Sequence, residues 1–438
     1  MTDKKAQPEK SICTCNDTAE TLASVGDVID KFLHRVLDVE ECAKSFIDDA
    51  RKNYNENADR LRLEASKCID IIRNEEDSDQ KLYGIRQLRR CEREIDRHNN
   101  SSPVTTLEKS LFISLFASFD SFIGDLISVL YQTKAELYKN ISKEIPLSEV
   151  LTFSSIDELR QHMLCEEIES LRRKSYYDQF KDLENRFSIT LTQFENWPSF
   201  IECSQRRNLY THCDGIVSKQ YLTICNKVGY AFQEEPKIGD ELKIGGKYFF
   251  QACHIISVVA VMLGQTLWRK ILPAKIEQAD THLSRVIFDF LHMEQWQRSI
   301  SISKFVLGLP KISTDEMERI FHVNYAIALK AIGKSKAAIN VLDRKDWSAT
   351  SNDFKLAYAV LNEEYKKAKS IMEKIGGQGD LISEIAYHDW PLFRDFRYQQ
   401  EFFDGYESVY GYKYCVKLSS IVEEKKAEVE STENDDEQ

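Results

Sequence analysis

Between residues 25 and 37 the apolar positions are Val25, Val28, Ile29, Phe32, Leu33, Val36 and Leu37, the three-and-four spacing of an amphipathic helix. This patterning predicts two or three amphipathic helices over 17–100, closed by the polar run His98-Asn99-Asn100-Ser101-Ser102-Pro103. The pattern then changes. From about residue 106 to about 138, Leu111, Phe112, Leu115, Phe116, Phe119, Phe122, Ile123, Leu126, Ile127 and Leu130 cover nearly every side of one long helix. A helix apolar all round is buried on two sides. One side suits its own core and the other a partner helix or a second copy of the chain. Asp120 and Asp125 stand within that surface, as candidates to orient a site residue. Further helices are expected at about 156–187 and 192–214, with Pro198 suited to a first turn and Gly215 to a left-handed stop. A last one, at about 247–270, is long and apolar enough to cross a membrane. Its Gln251, His254, Ser257 and Gln265, and the lack of a second comparable run, favour a buried central helix and no membrane.

Beyond residue 280, three stretches overlay: FLHMEQWQRSISISKF, LKAIGKSKAAINVL and AVLNEEYKKAKSIM. Met293 then matches Ile332 and Asn362, and Glu294 matches Gly333 and Glu363. Ser299, Ala338 and Ala368 take the small-residue position where two helices approach closely. The offsets, 39 and 30 residues, are uneven. The region 280–413 resembles degenerate tetratricopeptide-type helical hairpins, and WPLFRDFRYQQEFFDGYESVYG resembles the closing hairpin of such an array. Arrays of this kind expose a concave surface, so the resemblance implies a protein partner or trigger bound there.

Composition narrows the class. The chain has 438 residues, 42% of them hydrophobic, enough for two or three domains with cores of their own. Only 16 Gly and 8 Pro interrupt it, so the expected fold class is all-α. The divisions expected are 17–100, 105–272, 280–413 and a disordered acidic tail over 414–438. Its 11 scattered cysteines, Cys13 and Cys15 included, and the polar N-terminus argue for free thiols and a cytoplasmic location. The formal net charge is −12, and residues 423–438 hold eight acidic and two basic side chains. An acidic chain is not a general nucleic-acid coat, so any RNA contact must be local and enclosed.

The segment Arg207-Asn208-Leu209-Tyr210-Thr211-His212 carries the candidate chemistry. Arginine can hold a phosphate by two parallel hydrogen bonds, and histidine exchanges protons near neutrality. The wider run RRNLYTHCDGIVSKQYL, from Arg206, resembles the signature of the HEPN superfamily, many of whose members are metal-independent ribonucleases. Asp214-Gly215-Ile216-Val217 and Gln220-Tyr221-Leu222 fit that pattern, while Cys213 departs from the asparagine often found there. The resemblance implies an endoribonuclease in which a ribose 2′-hydroxyl attacks the adjacent phosphorus. His212 then moves the proton and Arg207 stabilises the added charge. Asn208, Tyr210, Asp120 and Asp125 are candidate supporting residues, and Arg206 and Lys219 candidate RNA contacts. No cofactor or metal is expected. His212-Cys213 and Cys253-His254 match no zinc spacing, and no Gly-rich phosphate loop, G-x-S-x-G or H-E-x-x-H is present.

Arg207 and His212 diverge by about 140° around a helix, whereas Asn208 and His212 share a face. That mismatch, with the apolar surplus of the long helix, leads to the expectation of a homodimer that shares one cleft. In resemblance terms such nucleases are often toxins or antiviral defence effectors. The rival class is a non-catalytic scaffold or regulatory interaction protein.

Overall fold

Ser24 starts the first helix by capping it. Its hydroxyl accepts from the Asp27 N–H at 3.1 Å, and its own N–H donates to the Asp27 carboxylate at 2.7 Å. The structure, a computed structural model, describes residues 24–141 and 144–414. Its regular elements are all helical, and no strand occurs among the described residues. The polar pair Cys13 and Cys15 and the acidic tail beyond Tyr414 lie outside the described residues.

Helix α1 (Val25–Asn74) runs unbroken for 50 residues. After Gly26 it contains no Gly or Pro to stop it, and pairs such as Arg60–Glu64, four apart, support its exposed half. It turns back on α2 (Ser78–Asn99) to form a long hairpin. The early turns of α1 are buried on α3 (Pro103–Thr133). Helix α3 stops five residues earlier than expected, and a 3-10 turn carries the chain over Ala135–Asn140.

The two-sided burial of α3 has its explanation within one chain. Phe119 packs on Phe32 of α1 with ring centroids 5.6 Å apart and on Phe200 of α7 (Trp197–His212) at 5.1 Å. Phe119 is 0% exposed and Phe122 2%. Much of the apolar surplus that argued for a second copy is therefore taken up within the chain, at Phe119 and Phe122.

Short α4 (Leu147–Val150) and helices α5 (Ile156–Arg172) and α6 (Tyr176–Phe187) lead to α7, followed by α8 (Lys219–Lys227) and α9 (Gly246–Ile271). Pro198 sits in the first turn of α7, where a missing N–H costs nothing. Helix α9 lies against α1, α3, α7 and α11 (Trp296–Leu307). Two helical stretches, not one, are apolar and long enough to cross a membrane: α9, with 78% of its apolar window buried inside the chain, and one within Ser78–Thr133, with 56% buried.

The remaining helices are α10 (Ile276–His292), α12 (Asp315–Ala331), α13 (Ser335–Leu342), α14 (Asn352–Leu361), α15 (Tyr365–Ile375), α16 (Glu384–Asp389) and α17 (Gln400–Tyr410). Three hairpins, α10/α11, α12/α13 and α14/α15, share one turn. Glu294, Gly333 and Glu363 each take a left-handed backbone, with φ of 57°, 77° and 61°. The next N–H in each case reaches back five residues: Gln295 to the Phe290 carbonyl at 2.8 Å, Lys334 to Leu329 at 2.9 Å and Glu364 to Ala359 at 2.9 Å. Ser299, Ala338 and Ala368 are each 0% exposed, where the paired helices meet. The sequence overlay thus aligned equivalent turns. One buried apolar cluster has members from Val25 to Tyr414, and a smaller separate one joins Leu209, Val217, Tyr221 and Cys225.

Candidate functional site

Helix α7 ends at His212 because its last carbonyls are taken. The N–H groups of Cys213 and Gly215 both donate to the Leu209 carbonyl, at 2.7 and 3.2 Å. Asp214 and Gly215 follow at φ of 48° and 85°. A Cβ on Gly215 would come within 2.7 Å of the Tyr210 ring, so this position requires glycine twice over. A loop then folds back on the helix end. Val217 N–H bonds the Asp240 carbonyl at 2.8 Å, and the Tyr210 hydroxyl donates to the Leu242 carbonyl. His212 is thereby held, exposed, at the rim of a depression.

That depression is a cleft of about 420 Å³. Helix α7 supplies Gln205, Arg207, Asn208, His212 and Cys213, and α3 supplies Asp120. The α5–α6 junction supplies Arg172, Arg173 and Lys174, with Tyr176 and Gln179 from the first turn of α6. Ser218, Gln220 and Tyr221 close it from the start of α8. Its described lining thus holds four permanent cations (Arg172, Arg173, Lys174, Arg207) against one carboxylate, Asp120. Two helix N-termini also border it, each capped by a serine: Ser175 accepts from the Asp178 N–H and Ser218 from the Tyr221 N–H, both at 3.2 Å. Cations and helix starts both favour an anion.

Arg207 lies 5.5 Å from the ring centre of Phe116 and 5.4 Å from that of Tyr176. Among the described residues no carboxylate stands at ion-pair distance from it, and its Nε is buried without a hydrogen-bond partner. Beneath it the Tyr176 hydroxyl donates to Asp120 Oδ1 at 2.6 Å. Burial raises the Asp120 carboxyl above the usual carboxylate range, against the opposing pull of the Tyr176 bond and the charges of Arg207 and Arg172. Burial likewise pushes the Tyr176 hydroxyl well up. Arg172 donates from Nε to the Asp120 carbonyl at 3.0 Å. Its guanidinium crosses α3 over Gly124, in space that any Cβ there would occupy.

Of the expected site residues, Arg207, Asn208, His212 and Asp120 come together in this cleft. The angular divergence of Arg207 and His212 is met within one chain, because the cleft wraps the end of α7 between α3 and the start of α8. A second subunit is not needed to assemble it. Four other residues fall elsewhere. Arg206 is ion-paired at 2.8 Å with Glu202, itself 1% exposed, and stacks 3.8 Å from the Tyr248 ring centre. It braces the core rather than offering a charge to RNA. Tyr210 packs edge-on against Phe112 and spends its hydroxyl on Leu242, so its face is not open to a base. Asp125 pairs with Lys31 at 3.1 Å, since five residues along α3 turn it away from Asp120. Lys219 is exposed at the start of α8, outside the lining of the cleft.

The sequence reading missed Arg172, Arg173, Lys174 and Tyr176. The signal was present as three consecutive cations before a serine cap, between two helices. Cys253 and His254 lie inward on α9. Burial, then the nearby Arg298 charge, lowers His254 to about 4, which keeps the ring neutral. Among the described residues no group of three or more His, Cys, Asp or Glu side chains could hold a metal ion. No protein-family model, curated protein or solved structure matches this chain.

Proposed function

We propose that this chain is a metal-independent endoribonuclease of HEPN type, with Arg207 and His212 as its catalytic pair. The observation that carries the reading is an arginine without a carboxylate partner sharing a cationic cleft with an exposed histidine. In the proposed step His212 takes the proton of a ribose 2′-hydroxyl, and the 2′-oxygen bonds to phosphorus. The P–O5′ bond breaks, and the leaving oxygen gains a proton from water. Arg207, with its fork directed at the phosphate, offsets the charge that builds on the non-bridging oxygens. Arg172 and the two helix starts add to the anion-favouring field. Asn208 hydrogen-bonds the phosphate or His212. Products are a 2′,3′-cyclic phosphate and a 5′-hydroxyl end, and DNA is not cut.

The RNA resemblance extends to a cytoplasmic toxin or antiviral effector whose tetratricopeptide-like hairpins hold a partner or trigger, and to a homodimer. The dimer now rests on the resemblance alone. End-group analysis of RNA incubated with the purified chain tests the reading. Ends carrying a 3′-hydroxyl and 5′-phosphate would reject it. The three matching hairpin turns favour a second reading, a non-catalytic scaffold. Partner capture with no cleavage at any RNA concentration would select that one.

A further inference from the structure

Helices α1 and α2 form an arm whose outer half is bare. Beyond Ala43, only Leu61 and Cys68 of α1 are buried, and on α2 only Gly84 and Cys91. Gly84 fixes the register of the pair, since a Cβ there would meet the Ile72 and Ile71 side chains at 3.1 and 3.2 Å. Cys68 and Gly84 thus lie on the seam between the helices. Ile69 and Ile85 each follow a seam residue, and in an antiparallel pair that step turns both to the same face of the hairpin. Leu82, three residues before Ile85, extends the patch along α2. Ile69 is 36% exposed, Leu82 47% and Ile85 39%. The charges around this patch are divided. Asp70 to Lys81, at the tip, holds five acidic and two basic side chains, and Arg86 to Arg97 holds five basic and three acidic. Asp79, Leu82, Ile85, Arg89 and Arg93 follow one another in steps of three and four along one face of α2. Among the described residues Glu75, Asp79, Arg89 and Arg93 have no opposite charge at ion-pair distance, the pair on α2 being Arg90 with Glu94 at 3.1 Å.

We propose that this face of the arm binds the same face of a second copy of the chain, with the two arms antiparallel. A two-fold axis level with Gly84 accounts for the charge pattern. Asp79 and Arg89 lie five residues to either side of Gly84, and Glu75 and Arg93 lie nine. The axis therefore sets Asp79 level with the partner's Arg89, and Glu75 level with the partner's Arg93. Leu82 and Ile85 of the two copies meet at its centre. In parallel arms like charges would face each other, so the pattern selects the antiparallel pairing. The arm also gains a second buried face, as in a four-helix bundle, where a lone hairpin buries one stripe of each helix. RNA is the other occupant that arginines suit. Its phosphates would leave Ile69, Leu82 and Ile85 in water and would be repelled by the acidic tip. The contact lies away from the helical-bundle dimer that the resemblance implies, and it does not rest on the ribonuclease reading.

The test is sedimentation equilibrium of the full chain, with helicity recorded for every variant. The wild type should show a monomer–dimer equilibrium in the micromolar range, weakened at about 0.5 M salt. Ile85→Asp should leave a monomer of unchanged helicity. Asp79→Arg and Arg89→Glu should each weaken the dimer. Both changes in one chain should restore it, because each reversed charge again meets its opposite across the axis. A wild type that stays monomeric into the hundred-micromolar range would overturn the proposal, and loss of RNA binding by Arg89→Gln in that monomer would give the face to RNA. A dimer untouched by Ile85→Asp would overturn it too, by placing the interface elsewhere. So would a double charge reversal no stronger than either single one.

Discussion

The hydroxyl of Tyr176 donates to Oδ1 of Asp120 at 2.6 Å, on the wall of the cleft that also holds Arg207. The pair ties the first turn of α6 to the middle of α3 and sets a half-buried carboxylate beside an arginine that has no ion pair. Burial keeps Asp120 above its ordinary range. A raised folded value means the folded chain binds the proton more tightly than the unfolded chain. Stability then falls as pH rises from about 4, the ordinary aspartate value, through the raised one. Asp120→Asn keeps an acceptor for Tyr176 and abolishes the titration. Urea midpoints between pH 3.5 and 7 should show the wild type losing stability relative to the variant as pH rises. Parallel profiles would mean that Asp120 is solvated, contrary to this account.

Arg206 and Arg207 are neighbours with opposite roles. Removing Arg206 leaves Glu202 buried with only the hydroxyls of Tyr221 and Tyr248, each at 2.7 Å. Arg206→Ala should cost about 3–5 kcal/mol, the usual penalty for stranding a buried charge. Arg207→Ala should leave stability within about 1 kcal/mol and abolish cleavage, since it breaks no ion pair. Denaturant melts of the two variants check this directly, and equal destabilisation would make Arg207 a structural residue.

Gly124 is a second handle on the cleft. Gly124→Ala would gain about 1 kcal/mol of helix propensity. The new methyl would displace the Arg172 guanidinium, a flexible group that can swing away. The expected outcome is little change in stability and weaker RNA binding. The slope of log affinity against log salt should fall by about one, the mark of one lost phosphate contact. An unchanged slope would place Arg172 outside the RNA path.

The hairpin turns give a prediction independent of function. Glu294 is exposed and holds a left-handed backbone at φ 57°, where an L side chain is strained. Glu294→Gly should raise stability by about 1 kcal/mol, read as a higher urea midpoint. Lower stability would mean that the glutamate side chain contributes more than its backbone costs.

Much of this was legible from periodicity. The overlay of Glu294, Gly333 and Glu363 located three equivalent turns, because left-handed positions and small residues recur at fixed offsets within a hairpin. Pro198 and Gly215 marked the ends of α7 for similarly local reasons. What escaped is long-range. Arg172 reaches the cleft from a junction far from α7 in sequence, and nothing local says which loop will lie there. That Arg206, expected to touch RNA, is instead spent on Glu202 needs the rotational phase of α7 in the core. That phase is set by Glu202, Tyr221 and Tyr248, which meet only on folding. The all-round apolar face of α3 was read correctly as doubly buried. Its second cover is α1, and one sequence cannot distinguish a distant segment of itself from a second copy.

The central claim is that Arg207 and His212 cut RNA without a metal. Purified wild-type chain and His212→Ala should be incubated with RNA in excess chelator, with helicity recorded for both. The wild type should still cut, leaving 2′,3′-cyclic phosphate ends. The variant should lose about 100- to 10,000-fold in rate while keeping its helicity. Cleavage abolished by chelator and restored by a divalent ion, or an equally active His212→Ala, would contradict the account.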